Sequence, residues 1–439
     1  MSDDFDKSVA RLLETIWPLD PLASEGVEQR ARHLLLDTLG CAIAGLATAP
    51  ARDFAIRLHE SEPGPLSYPG LPHGLSPAAF QMAFGAAACA FEGPEGLAAA
   101  QGRPGLHVVP AVLARALRAR SPLGGVLQAL AIGYEVGGRI GQAYRILPGM
   151  HVDGTWGTLG ATAGSARLAG ASRVEALSAL NVVACQLPVS LYLPITQGSV
   201  ARNLYVGHGA LWASFAVDAA LSGTNGPSGA LGEHMRILLG KAPEAMPVRA
   251  PDEPWLLMRG YLKKYPVTKH VHYGIEAAVR WLKAGGAVSP DDRIVLSIYR
   301  NAMTYCAQRA PTASIQAQFS LSWGLAWALV HGGLTVDAFS PEGLGDPAVR
   351  EMEARIEIVE DPVLTAQDRR GATLSVTAPG GRARTVVVDG VPGDPDAPLS
   401  REELVEKFLS GAVPVIGAER ARASVAAVLD GALDQPLLL

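Results

Sequence analysis

The chain has 439 residues and a formal charge of −5, which makes it longer than one ordinary domain and gives it no cationic field for a phosphate backbone; no nucleic-acid partner is expected. Hydrophobic residues make up 49% and charged residues 18%, enough for a large core, while 48 glycines against 6% aromatics favour helices that approach closely through small side chains. Any anion handled here has to meet a local cluster of cations.

In chain order, the acidic start MSDDFDKSV does not read as a secretory leader. From residue 8 to about 285 the apolar pattern is helical almost throughout. Residues 27–45 keep helical spacing and stop at glycine. The stretch 89–110 (CAFEGPEGLAAAQGRPGLHVVP) is a polar, glycine-rich loop between apolar helical runs and offers Glu92, Glu95, Arg103 and His107. His151 lies in the glycine-rich entry to 155–170, where Gly157, Gly160, Ala161 and Gly164 form a small-residue face; a histidine there suits general acid or base work, or simply caps a helix. Ser172 with Glu175 reads as a capping box. The most apolar stretch, 177–195, is interrupted by Asn181, Gln186, Pro188 and Pro194, short of the roughly 20 apolar residues that a membrane span needs. Arg202 and His208 stand just before an apolar helix whose start, with Gly207 and Gly209, reads as a place for an anion.

Residues 261–275 (YLKKYPVTKHVHYGI) bring Lys263, Lys264, Lys269, His270 and His272 together, with Pro266 predicting a bent connection before a helix near Tyr273. Cations held there would bind carboxylates and stabilise an enolate-like dianion; a solvated basic loop is the plainer alternative. No metal-ligand spacing accompanies the His-x-His pair, and no metal is expected. After about 290 the pattern turns to strands at 293–299, 373–377 and 384–388, the last two joined by a glycine turn, with helical stretches at 316–331 and 346–355. Ser400 and Glu403 open a further helical stretch to the end. The four cysteines (Cys41, Cys89, Cys185, Cys306) are far apart in apolar contexts and read as free thiols of a reducing, cytoplasmic compartment. The expected fold is mainly α, a helical domain of residues 1–267 and 399–439 interrupted by a smaller α+β domain of 268–398.

Five segments resemble the MmgE/PrpD family: LLLDTLGCAIAG (34–45), HVDGTWGTLGATAGSARLAG (151–170), LYVGHGALWASFAVDAALSGTNGP (204–227), KKYPVTKHVHYGIEAA (263–278) and AQFSLSWGLAWALVHGGLTVDAF (317–339). The resemblance runs over nearly the whole chain in the family's order. It implies a helical domain with an α+β lid, a homodimer, and an active site between the domains that uses no metal or other cofactor. By position, His151 takes the place of the family's active-site histidine, Lys263 that of the lysine before tyrosine–proline, and His272 that of the later histidine; Lys269 matches a commonly basic position. The sequence also departs from the pattern. Glu92 stands for the first aspartate of an aspartate run, with Pro94, Glu95 and Gly96 after it. Arg103–Pro104 replaces histidine–proline, with His107 four residues on, and Leu211 and Trp323 stand where the decarboxylase branch has lysine and tyrosine.

The function expected on this basis is a cofactor-independent lyase, a dehydratase or decarboxylase acting on a small polycarboxylate. His151 or Glu92 would move a proton beside a carboxylate, and Lys263 and His272 complete the catalytic set. Arg103, Lys269, His107, Arg202, His208 and Trp323 would hold the substrate. An isomerase or epimerase, which needs fewer acids, is the first alternative, and a decayed small-molecule binder the second.

Overall fold

The computed structural model describes residues 3–72, 74–241 and 243–438, and the chain divides into two compact units. The first comprises residues 1–192, 201–262 and 400–439, and the second residues 193–200 and 263–399. The second unit thus takes in 193–200 and 263–267 besides the expected stretch. Within it, Gln316 donates to the Thr196 carbonyl at 3.2 Å.

The first unit is built of helices. The small-residue face anticipated at 157–168 is used for close packing: a Cβ on Gly160 would sit 2.8 Å from the Gly133 carbonyl and 3.0 Å from Gly137 Cα, so helices Gly157–Leu168 and Leu123–Ala143 touch backbone to backbone. Around this contact Ala111, Ala161, Ala210 and Ala213 form a fully buried cluster. The capping boxes at Ser172 and Ser400 are both formed and open helices Arg173–Ala184 and Arg401–Ile416. Among the described residues no single helix is long and apolar enough to cross a membrane; the pair Val27–Gly45 and Ala49–Ser61 has the length and composition together but bends by 93°.

The second unit carries a four-stranded sheet in the order Ile356–Glu360, Arg293–Ile298, Ala372–Thr377, Arg384–Val388. The first pair is parallel and the other two are antiparallel. Ile294, Leu296 and Ile298 alternate inward, and Leu296 packs against helix Lys269–Lys283 at Gly274, where an added Cβ would lie 3.2 Å from its Cδ2. Three expectations are corrected here. Strand Ile356–Glu360 went unanticipated, because IEIVE continues directly from a charged helix. The stretch 316–331 is two helices broken at Phe319–Ser320, where Ser320 accepts the Trp323 N–H. The helix expected near Tyr273 begins at Lys269, so Lys269, His270 and His272 stand on its first turn.

Candidate functional site

In the first unit four helix ends bring charged side chains together. Glu92 is the left-handed C-cap of helix Pro77–Phe91 (φ 55), and Arg103 precedes helix Pro104–Ala119. Asp153 lies in the turn before helix Gly157–Leu168, and Arg202 in the 3₁₀ turn before helix Leu204–Leu221. All four are buried, at 0–7% exposure. Arg103 Nη1 donates to both Glu92 oxygens at 3.0 Å, and its Nε and Nη2 donate to the two oxygens of Asp153. Arg202 Nη2 donates to Glu92 Oε2 at 2.5 Å and its Nη1 lies 3.8 Å from Asp153. Two guanidiniums meet two carboxylates, so the quartet is charge-balanced. Burial opposes ionisation of Asp153, but Arg103 in first place, with His151, His107 and Arg202, holds its carboxyl well below the usual range.

This geometry changes the expected roles. Arg103 and Arg202 were expected to clamp substrate acids, yet they are committed to Glu92 and Asp153. The Glu92 oxygens expected to move a proton are occupied by guanidinium donors. His107 is a scaffold: Nδ1–H donates to the Arg103 carbonyl and Nε2 accepts the Gly154 N–H, both at 2.9 Å, and burial holds its ring below the ordinary imidazole value.

His151 sits beside this quartet at 5% exposure, its ring stacked on Tyr192 (centroids 5.9 Å apart) and tilted against Tyr205 (6.0 Å). Its Nδ1 accepts the Asp153 backbone N–H at 3.0 Å, which places the ring proton on Nε2. Burial in first place, then Arg202 and Arg103 against the opposing pull of Asp153, lowers its pKa to about 4. At neutral pH the ring is therefore a neutral donor through Nε2–H. Its Nδ1 lone pair is in use, which removes the general-base role expected of it. Among the described residues Nε2 has no hydrogen-bond partner.

In the second unit the start of helix Lys269–Lys283 collects cations. Lys263 is 2% exposed and donates to the Val267 carbonyl at 3.1 Å; Lys269 is 4% exposed and pairs with Asp394 at 2.5 Å. Burial pulls Lys269 down to about 8, Asp394 resisting and Arg370 and Lys263 adding to the fall. His270 accepts or donates at Nδ1 with the Tyr299 hydroxyl (2.6 Å); burial, then Arg370 and Lys263, push it down to about 3. Three cations, Lys263, Lys269 and Arg370, thus share one neighbourhood, in which Lys269 pairs with Asp394. Thr268 provides no side-chain cap, so the helix's first N–H groups add to the positive end. His272 is fully buried, its ring 5.3 Å from that of Tyr265.

Two expected residues fall elsewhere. His208 is on an exposed face inside helix Leu204–Leu221, and Gly207 serves helix packing, since a Cβ there would lie 2.8 Å from Met82 Cα. Trp323 is a core residue whose indole N–H donates to the Ala338 carbonyl (3.1 Å) while Arg350 covers the ring. Asp153, Arg370 and Asp394 were missed. Asp153 was within reach, two residues past His151, but an aspartate before glycine reads as a turn former.

The MmgE/PrpD N-terminal domain matches residues 19–238 and the MmgE/PrpD C-terminal domain matches residues 265–431. The chain belongs to the MmgE/PrpD family. It is 27% identical over 303 residues to human cis-aconitate decarboxylase, a match covering 65% of this chain and 62% of that protein. The mouse cis-aconitate decarboxylase is 26% identical over 304 residues, with 65% and 61% covered. The cis-aconitate decarboxylase-like protein oryM of Aspergillus oryzae is 25% identical over 425 residues, covering 90% of this chain and 88% of that one. The chain therefore spans less than two thirds of the two mammalian relatives' length in the match.

Proposed function

We propose that this chain is a lyase that decarboxylates a small unsaturated polycarboxylate of the cis-aconitate type, with no metal or organic cofactor. The observation that carries this reading is the gathering of Lys263, Lys269 and Arg370 at the start of helix Lys269–Lys283, close enough that Arg370 and Lys263 add to the lowering of Lys269. Neighbouring cations repel one another, and a substrate with two or more carboxylates would relieve that repulsion. The names of the mammalian relatives point the same way.

In the reaction, the bond from carbon to the departing carboxylate breaks and carbon dioxide leaves. The electron pair spreads into the allylic system beside a remaining carboxylate, where Lys263 and Arg370 hold the growing charge. One proton is then delivered to carbon. Lys269, with its pKa near 8, is the group able to give that proton and regain it from water at neutral pH. Within the first unit, the Glu92–Arg103–Asp153–Arg202 quartet fixes the His151 turn and leaves the ring a neutral Nε2–H donor for a ligand oxygen.

The test is proton NMR of cis-aconitate, and of a panel of di- and tricarboxylates, incubated with the chain in deuterated water. The expected result is new alkene signals with one solvent deuterium incorporated and carbon dioxide released. Exchange without net conversion would establish the isomerase instead. Binding without any chemistry across the panel would sink the enzyme reading.

A further inference from the structure

The loop from Glu92 to Arg103 is held in place by groups that the proposed chemistry does not use. Asp37, 2% exposed within helix Val27–Gly45, accepts the Glu95 backbone N–H on Oδ2 at 3.1 Å and Lys407 Nζ on Oδ1 at 2.5 Å. Lys407, from helix Arg401–Ile416, also donates to the Gly93 carbonyl at 2.8 Å. The Glu95 carboxyl accepts the Leu106 N–H (3.1 Å) and the Tyr134 hydroxyl (3.0 Å). Gly96 and Tyr261 exchange backbone hydrogen bonds of 3.0 and 2.8 Å. Residues 93, 95 and 96 are thus each tied down, directly after a non-glycine residue in the left-handed region.

We infer that Lys407 and Asp37 are positioning residues: helix Arg401–Ile416, through Lys407, sets the course of the loop that presents Glu92 and Arg103. A buried ion pair is a poor way to gain stability compared with apolar packing of the same volume. This pair reads two backbone groups of one loop, the Gly93 carbonyl and the Glu95 N–H, which no apolar pair can do. Glu92 needs such support, because an L-residue at positive φ persists only where its surroundings over-determine it. Its left-handed turn places its carboxylate between Arg103 and Arg202, and through them the Asp153 turn that orients His151. The catalytic consequence rests on the function proposed above; the positioning itself does not.

The experiment is hydrogen–deuterium exchange by mass spectrometry on the full chain and on Lys407→Met, Lys407→Arg and Asp37→Asn. Exchange at residues 93–97 is expected to rise by at least about tenfold in Lys407→Met, while helix Lys269–Lys283 keeps its protection. Lys407→Arg, which keeps the charge and donors, is expected to restore most of that protection. If Lys407→Met fails to fold, Asp37→Asn is expected to give the same local rise. A rise confined to helices Val27–Gly45 and Arg401–Ile416, or arginine and methionine variants that behave alike, would overturn the inference. No turnover enters the measurement, so a chain inactive on every polycarboxylate would refute the proposed function and leave this test intact.

Discussion

The two charged clusters of this protein differ in burial and in make-up: Glu92, Arg103, Asp153 and Arg202 are all buried, whereas Arg370 and Asp394 of the second are only partly so. In the first unit Glu92 and Asp153 meet Arg103 and Arg202 charge for charge, and the oxygens of both carboxylates are taken up by guanidinium donors. In the second, Lys263, Lys269 and Arg370 face Asp394. A completed cluster has no need of a ligand and acts as a rigid joint between helix ends. A gathering of neighbouring cations is stabilised when an anion enters. Burial and the presence of arginine alone do not mark a substrate site.

The comparison breaks most visibly if charge is removed from each cluster in turn. Asp153→Asn leaves buried guanidinium uncompensated and should lower the unfolding free energy by about 3–5 kcal/mol, read from urea denaturation. Lys263→Met should cost far less stability, because it relieves like-charge crowding, yet reduce turnover of the true substrate by at least about a hundredfold. Equal stability losses from the two substitutions would erase the distinction between the clusters. His151→Ala should also reduce turnover by about a hundredfold, without removing a limb of the pH–rate profile between pH 5 and 9, because the ring stays neutral throughout.

Two pH effects sharpen the contrast further. Lys269 titrates near 8, below an ordinary lysine, so KM for a polycarboxylate should climb once the pH passes that value, and Lys269→Arg should move the climb to higher pH. Glu95 is raised to about 7, by burial first, against the Leu106 and Tyr134 hydrogen bonds and Arg103 that lower it. Between the unfolded value near 4.5 and that value the folded chain keeps a proton the unfolded chain has released, so stability falls as pH rises through this window. Glu95→Gln should flatten that slope in denaturation curves taken at about pH 5 and about pH 8. The smallest effect is expected from His208→Ala, exposed and away from both clusters: a change within about 0.5 kcal/mol in stability and no change in turnover.

How much of this was legible in the sequence depended on range. The helix Val27–Gly45, the serine caps at 172 and 400 and the 372–388 hairpin rest on local periodicity and turn chemistry, and they were read correctly. Pro266 misled, because it bends the chain before Thr268 and leaves the helix free to begin at Lys269. Gly207 and Gly209 read as a helix start able to receive an anion and are packing contacts; sequence alone does not separate the two uses. The role of Arg103 was out of reach, since its partners are 11 and 50 residues away and only pairing shows that its charge is spent. Arg370 and Asp394 lie a hundred residues or more beyond Lys269, with no local pattern to join them.

The proposed function needs the cations at the start of helix Lys269–Lys283 to hold a polycarboxylate. Isothermal titration calorimetry with tricarballylate, a saturated tricarboxylate that does not react, tests it without any assumption about the chemistry. The parent chain should bind it, Lys263→Met should bind at least about thirtyfold more weakly, and His208→Ala should match the parent. Undiminished binding by Lys263→Met, or a parent that binds no tricarboxylate or dicarboxylate at all, would contradict it.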